Sequence, residues 1–174
     1  MLTIGVAIDV PEPFGSVLQQ ARVAAGDPLA KAIPPHVTLL PPTVVSGPES
    51  MEFEAHCERV AAAYRPFELE LHGTGTFRPV SPVVFVALAQ GAEQCSALER
   101  AVRAGPVERL LDFPYHPHVT IAHHLPEEAL AAAECSLADF RAAFTVSAFH
   151  LYHHGADEIW RPVVAFELGA RVPR

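Results

Sequence analysis

A chain of 174 residues that is 50% hydrophobic has enough apolar material for one domain or two small fused lobes. Its net charge of −8 argues against a protein that coats long nucleic acid, whereas a small or end-bound phosphate substrate needs only a few local donors. No run of about 18 apolar residues is present, and the N-terminus carries Asp9 without a basic region, so we expect neither a membrane span nor a signal peptide.

The first half of the chain predicts a strand–helix–strand–helix–strand unit. In chain order, its elements are a strand at 3–10, a helix at 13–25, a strand at 36–40, a helix at 50–64 and a strand at 67–71. Pro41 and Pro42 are expected to end the second strand, because proline cannot donate to a sheet ladder.

The second half repeats this order. Its predicted elements are a strand from 83, a helix at 91–104, a strand at 118–122, a helix at 126–140, and strands at 144–152 and 163–168. Val83 follows Thr3 by 80 residues and His118 follows His36 by 82, so the offset is nearly constant. We therefore predict one domain, 1–174, of two pseudo-symmetric lobes at about 1–75 and 83–174. A loop near 73–82 joins them, and an exchange of terminal strands between the lobes is left open.

The tetrapeptide Pro-His-Val-Thr occurs once in each unit, at His36 and at His118. Residues i and i+2 of a strand share a face, so His36 lies beside Thr38 and His118 beside Thr120. The apolar residues between them fix the register toward the core. If the lobes pack about a pseudo-two-fold axis, the two His-Thr faces meet across a cleft.

Such a cleft contains the groups for phosphoryl transfer without a metal. A neutral imidazole accepts a proton from the attacking oxygen, and a charged one donates a proton to the leaving oxygen. The threonine hydroxyls can bind the non-bridging phosphate oxygens. One His-x-Thr arises easily by chance, but two identical copies at matching steps of a repeat are far more specific. The alternative is two ordinary strands whose histidines lie at a sheet edge. Which histidine is base and which is acid stays open.

The segments HVTLL at His36, GTGTF ending at Phe77 and HVTIA at His118 resemble the 2H phosphoesterase superfamily over nearly the whole chain. That superfamily includes the bacterial 2′-5′ RNA ligase-like proteins and the cyclic nucleotide phosphodiesterases. The resemblance implies an α+β, bilobal fold with two antiparallel β-sheets, flanking helices and a central cleft. It also implies catalytic roles for His36 and His118, phosphate binding by Thr38 and Thr120, and no cofactor.

The chain departs from the pattern of that superfamily at two places. Many members have an aromatic residue after the first motif, where this chain has Leu40 and Pro41. Many have Arg or Lys after the second motif, where this chain has His123. His123 can replace that cation only when protonated, and nothing in the sequence places Arg78 or Arg161 at the cleft.

Further candidates for substrate binding flank the second motif. Tyr115 and Phe77 could stack on a nucleobase, although core packing is slightly favoured for Phe77. His116 shares strand parity with His118 and could line the cleft, whereas Trp160 is more typical of a core or lobe-interface residue. The second half is rich in histidine, but it lacks ligand spacing, so no metal site is expected.

The sequence thus predicts a metal-independent phosphoesterase that acts on 2′,3′-cyclic or 2′-5′ phosphodiester linkages of nucleotides or RNA ends. The alternative is a non-catalytic nucleotide- or RNA-end-binding protein of the same fold, which the missing cation favours. Three widely spaced cysteines (Cys57, Cys95 and Cys135) indicate buried thiols in a reducing compartment, so we expect a cytoplasmic protein. We expect a monomer, because one chain supplies both halves of the site.

Overall fold

The computed structural model describes residues 1–170 as four helices packed against a curled antiparallel sheet of eight strands. The elements in chain order are β1 (Leu2–Asp9), α1 (Phe14–Ala25), β2 (His36–Val45), α2 (Gly47–Ala63), β3 (Phe67–Thr76), β4 (Val83–Gln90), α3 (Ala92–Arg103), β5 (His118–His123), α4 (Glu127–Ser136), β6 (Arg141–Val146), β7 (Ala148–His154) and β8 (Trp160–Glu167). The α+β class predicted from the sequence is confirmed. Among residues 1–170, no helix combines the length and the apolarity needed to cross a membrane.

The strand order is β6-β3-β4-β5-β2-β1-β7-β8. One registered pair, Val37 with Val119, joins β2 to β5. The two expected antiparallel sheets are therefore two four-stranded halves of one continuous sheet. We call β2-β1-β7-β8 the first half and β5-β4-β3-β6 the second half. The first half takes its strands from both ends of the chain and the second half from its middle, and the division into lobes at 1–75 and 83–174 stays a prediction.

The alternation of buried and half-buried side chains directs the two motifs toward one face of the sheet. Val37, Leu39, Val119 and Ile121 are at most 1% exposed and pack in the core, together with Leu18, Phe53, Leu98 and Leu130 from the helices. The intervening histidines and threonines of both motifs are only half-buried. A slip of one residue would bury these polar groups, so core packing fixes the register of the site.

Helix α2 begins three residues before the predicted start at Ser50. Ser46 is its N-cap and accepts a hydrogen bond from the Glu49 backbone N–H, while the Glu49 carboxylate accepts one from the Ser46 N–H. This capping box satisfies two backbone donors of the first turn. Pro48 lies in that turn, where its missing N–H costs little.

The expectation that Pro41 and Pro42 end β2 is wrong, because the strand runs on to Val45. Its pairing with β1 skips the two prolines: Leu40 lies opposite Val6, and the next pair is Thr43 with Ile4. The chain bulges at this point, so the ladder requires no N–H donor from Pro41 or Pro42. Similarly, the loop expected at 73–82 begins only after Thr76, since β3 continues along β4.

The segment 144–152, predicted as one strand, is divided between two. Strand β6 lies at the sheet edge beside β3, and β7 lies between β1 and β8 in the other half. The apolar alternation continues across Ser147, so the pattern alone could not reveal the break. The prediction of buried thiols is also wrong at one position: Cys57 and Cys95 are buried, but Cys135 is exposed.

Candidate active site

The Val37–Val119 pair brings the two motifs side by side at the junction of the sheet halves. Continuing this antiparallel register by one residue places His36 opposite Thr120, and Thr38 opposite His118. Directly opposed residues of antiparallel strands have Cβ atoms roughly 4.5–5.5 Å apart. All four side chains lie on the face opposite the core, so the motifs form one cluster with local two-fold symmetry.

Each histidine is oriented by the backbone two residues before it. Nδ1 of His36 is 2.7 Å from the Pro34 carbonyl oxygen, and Nδ1 of His118 is 2.6 Å from that of His116. A carbonyl oxygen only accepts, so Nδ1 carries the hydrogen in both rings. Nε2 of each ring is therefore the atom left to exchange a proton with a ligand.

Burial lowers the pKa of both imidazoles below the ordinary value of about 6.5. The carbonyl hydrogen bonds oppose this shift only in part. The positive charge of Arg22 lowers the pKa of His36 further while the Asp9 carboxylate raises it, and the neighbouring His116 lowers the pKa of His118. Both rings are therefore neutral in the free protein near neutral pH, and a bound phosphate anion would favour protonation.

The surroundings of His36 are polar and aromatic. The Trp160 ring stacks on it with centroids 4.9 Å apart and an interplanar angle of 29°. Asp9 lies opposite His36 on β1 and accepts a hydrogen bond from the Tyr152 hydroxyl. Its other carboxylate oxygen is 3.2 Å from Nδ1 of His150. Trp160, for which the sequence favoured a core or lobe-interface role, is 8% exposed, packs with Ala7 and Tyr152, and also covers a predicted catalytic residue.

The side chains stacked around His118 are mainly aromatic. The ring of Phe77 meets it edge-on at 5.0 Å, and Phe85 lies 5.2 Å away. Gly75 makes room for Phe85, since a Cβ there would lie 2.7 Å from the phenyl ring. Phe77 therefore contacts the site directly. The sequence analysis did not identify Phe85, because its position in a strongly apolar strand suggests a core residue.

A cavity of about 580 Å³ opens beside His118 and Thr38. Its walls are mostly apolar and include Phe77, Tyr115 and His116. The Tyr115 hydroxyl donates a hydrogen bond to the Thr38 carbonyl oxygen over 2.8 Å. Because the hydroxyl is engaged, a ligand in the cavity would contact the aromatic ring of Tyr115. His36, Thr120 and His123 lie outside the lining of this cavity. The site is thus asymmetric, with open space on the His118 side and Trp160 on the His36 side.

His123 lies at the end of β5, opposite Val83. A bulge between Thr120 and Ala122 shifts the register and turns His123 to the same face as His118. Burial lowers its pKa, and its Nδ1 is buried without a hydrogen-bond partner among residues 1–170. The other candidate cations are engaged elsewhere: Arg78 pairs with two glutamates of α4, and Arg161 pairs with Asp157.

Three charged residues of the cavity were also missed: Glu99, Arg109 and the exposed Asp112. Glu99 of α3 is 3% exposed, and Arg109 lies in the loop before β5. Glu99 had a detectable signal, because it falls on the apolar helical stripe formed by Cys95, Leu98 and Val102. Arg109 had no such signal in the sequence.

Within residues 1–170, no group of three or more His, Cys, Asp or Glu side chains lies close enough together to hold a metal ion.

Comparisons with known proteins agree with this architecture. The model of the 2′-5′ RNA ligase superfamily matches residues 10–158. A predicted phosphoesterase of Bacillus licheniformis is 27% identical over 146 residues, which cover 83% of this chain and 86% of the relative. A predicted phosphoesterase of Bacillus pumilus is 28% identical over 145 residues, which cover 82% of this chain and 84% of the relative.

Solved structures share the fold. E. coli LigT complexed with 3′-AMP has a TM-score of 0.70 at 20% identity, covering 96% of this chain and 98% of LigT. A protein of Thermus thermophilus has a TM-score of 0.70 at 22% identity, covering 98% and 100%. From the matching segment and the fold together, the chain belongs to the 2′-5′ RNA ligase superfamily and is a phosphoesterase of this two-histidine group.

Proposed function

We propose that this phosphoesterase hydrolyses 2′,3′-cyclic or 2′-5′ phosphodiester linkages of nucleotides or RNA ends by general acid–base catalysis, without a metal ion. The observation that carries the proposal is the cluster of His36, Thr120, His118 and Thr38 about the Val37–Val119 pair. Both imidazoles are oriented through Nδ1, and within residues 1–170 neither has a hydrogen-bond partner at Nε2. E. coli LigT, which shares the fold, has been crystallised with 3′-AMP, NADP+ and ATP, which supports a nucleotide substrate.

The asymmetry of the cleft assigns the two roles in this proposal. The nucleoside occupies the cavity beside His118, so the ribose oxygen that leaves lies near that ring. In-line displacement then brings water to phosphorus from the His36 side. As the water oxygen bonds to phosphorus and the ribose P–O bond breaks, Nε2 of His36 takes the water proton and Nε2 of His118 gives its proton to the ribose oxygen.

The groups around His36 suit a general base. Accepting a proton makes its ring positive, and both the Asp9 carboxylate and the stacked face of Trp160 stabilise that charge. Thr38 and Thr120 donate their hydroxyls to the non-bridging phosphate oxygens, where negative charge develops. His123 lies on the same face and can donate a further hydrogen bond to the phosphate.

The direct test is an assay of the purified protein on nucleoside 2′,3′-cyclic phosphates with and without a chelator such as EDTA. We expect turnover to nucleoside monophosphates at rates that the chelator leaves unchanged. Loss of activity that added metal restores would contradict the metal-independent mechanism. Binding of nucleotides without turnover of any phosphodiester would instead support the second candidate function, a non-catalytic binding protein. That candidate is favoured by His123, which stands where many members have a fixed cation.

The lowered pKa values of both histidines predict an acid-shifted pH profile. Activity rises with pH as the base becomes neutral and falls as the acid loses its proton. Because burial lowers both pKa values, we expect both limbs of the kcat/KM profile below the ordinary imidazole pKa of about 6.5. The measurement is kcat/KM from about pH 4 to 9. A plateau that extends through pH 8 would contradict the idea that either ring must act in its protonated form.

We also propose that the protein acts as a cytoplasmic monomer. Both motifs come from one chain, so a second copy is not required to complete the site. The three cysteines are free thiols, which suits a reducing compartment.

A further inference from the structure

We propose that the cavity beside His118 is a nucleobase pocket selective for guanine, in which Glu99 accepts from the donor edge of the base and Arg109 donates to its acceptor edge. This inference rests on the proposed function, because it identifies the nucleotide that the same site would take. Its basis is two charged residues, Glu99 and Arg109, with buried polar atoms in a mostly apolar, aromatic-walled cavity of about 580 Å³. The third charged residue of the lining, Asp112, is exposed. That volume lies within the usual range of small-ligand sites.

Glu99 supplies a carboxylate where burial makes one costly. The residue is 3% exposed, and it lines the cavity from helix α3. Among residues 1–170, the Nε of Arg103 donates to its Oε1, which leaves Oε2 and the second lone pair of Oε1 to accept from a ligand. A buried carboxylate is stable only when further donors satisfy its lone pairs. A ligand with N–H groups would complete this site.

Arg109 supplies the complementary donor. Its Nε is buried and has no hydrogen-bond partner within residues 1–170, although the residue lines the same cavity. An unpaired buried N–H is destabilising, and a ligand acceptor would remove that cost. The cavity therefore offers an acceptor and a donor that residues 1–170 leave without a partner.

Guanine presents the matching pattern. Its N1–H and 2-amino group are adjacent donors that fit one carboxylate, and its O6 and N7 are adjacent acceptors that fit a guanidinium. Adenine has a 6-amino donor in place of O6 and lacks the 2-amino group, so it would leave both charged residues poorly matched. The rings of Phe77 and Tyr115 give any base a stacking surface. Selectivity therefore comes from the two charged groups.

The experiment compares kcat/KM for the 2′,3′-cyclic phosphates of guanosine, inosine, adenosine, cytidine and uridine. We expect guanosine to exceed adenosine at least about tenfold, because a well-placed bidentate pair discriminates against a base with the wrong donors and acceptors. Inosine, which lacks only the 2-amino group, should fall between them. Equal rates, or a preference for another base, would overturn the inference while leaving the proposed function intact.

If no cyclic phosphate is turned over, the proposed function fails, and calorimetric binding of 3′-GMP against 3′-AMP tests the pocket separately. Tighter binding of 3′-GMP supports the inference, and equal affinities overturn it.

Matched variants locate the selectivity. Glu99→Gln should lower the guanosine-to-adenosine ratio about tenfold, whereas Glu93→Gln, the same change at an exposed position of α3, should leave it unchanged. Arg109→Gln changes a half-exposed loop residue and should also lower the guanosine-to-adenosine ratio. This variant tests the proposal if Glu99→Gln does not fold. Asp112 is an exposed acid of the same cavity. Selectivity lost in Asp112→Asn but kept in Glu99→Gln would overturn the assignment.

Discussion

Replacing His36 or His118 with alanine is expected to lower kcat/KM on nucleoside 2′,3′-cyclic phosphates by at least about 100-fold, the range for loss of a general acid or base. Each ring is held by a backbone carbonyl, and no other imidazole occupies the same place in the opposed strand pair. Because the two rings act in one step, the double variant should cost little more than the worse single variant. Initial rates together with thermal unfolding curves measure this.

The controls separate chemistry from folding. His72→Ala changes an exposed histidine of β3 and should leave the rate unchanged. Thr38→Ala and Thr120→Ala should cost about tenfold each, because each removes one hydrogen bond to a charged oxygen. Full activity in either single histidine variant, with an unchanged unfolding temperature, would rule out the two-histidine mechanism.

Much of the fold could be predicted because its signals are local. The period-2 pattern around Val37 and Val119 specifies both the strands and the face that carries the histidines. The errors lie where distant pairing decides the outcome. Pro41 is tolerated because β2 bulges there against β1, and Ser147 separates strands that pair at opposite sides of the sheet. Neither partner is visible in a window of ten residues.

The site divides in the same way. The two Pro-His-Val-Thr segments could be identified from the sequence alone, because the same tetrapeptide occurs in both repeats. Asp9 and Trp160 approach His36 only after β1 and β8 join the first half of the sheet, from positions 27 residues before and 124 residues after it. Their contribution to the asymmetry of the site therefore depends on tertiary packing. Glu99 is the exception, since an acid on an apolar helical stripe is a local anomaly.

That asymmetry makes the two histidines distinguishable by the leaving group of the substrate. In a 2′,3′-cyclic phosphate whose leaving ribose oxygen is replaced by sulfur, a thiolate departs. Thiols have a pKa near 8.5, far below that of an alcohol, so departure needs little help from an acid. With this substrate, we expect the loss in His118→Ala to shrink below about tenfold, while His36→Ala keeps a loss of at least about 100-fold.

The sulfur test requires both positional isomers, with sulfur at the 2′ or at the 3′ position, because either ester can be the one that is cut. Rescue of His118→Ala by one isomer identifies both the acid and the bond that breaks. Rescue of His36→Ala instead would mean that the nucleoside lies on the Trp160 side and that the roles are exchanged. Since the cavity opens beside His118 and Trp160 covers His36, the first outcome is the one that the packing of the cleft favours.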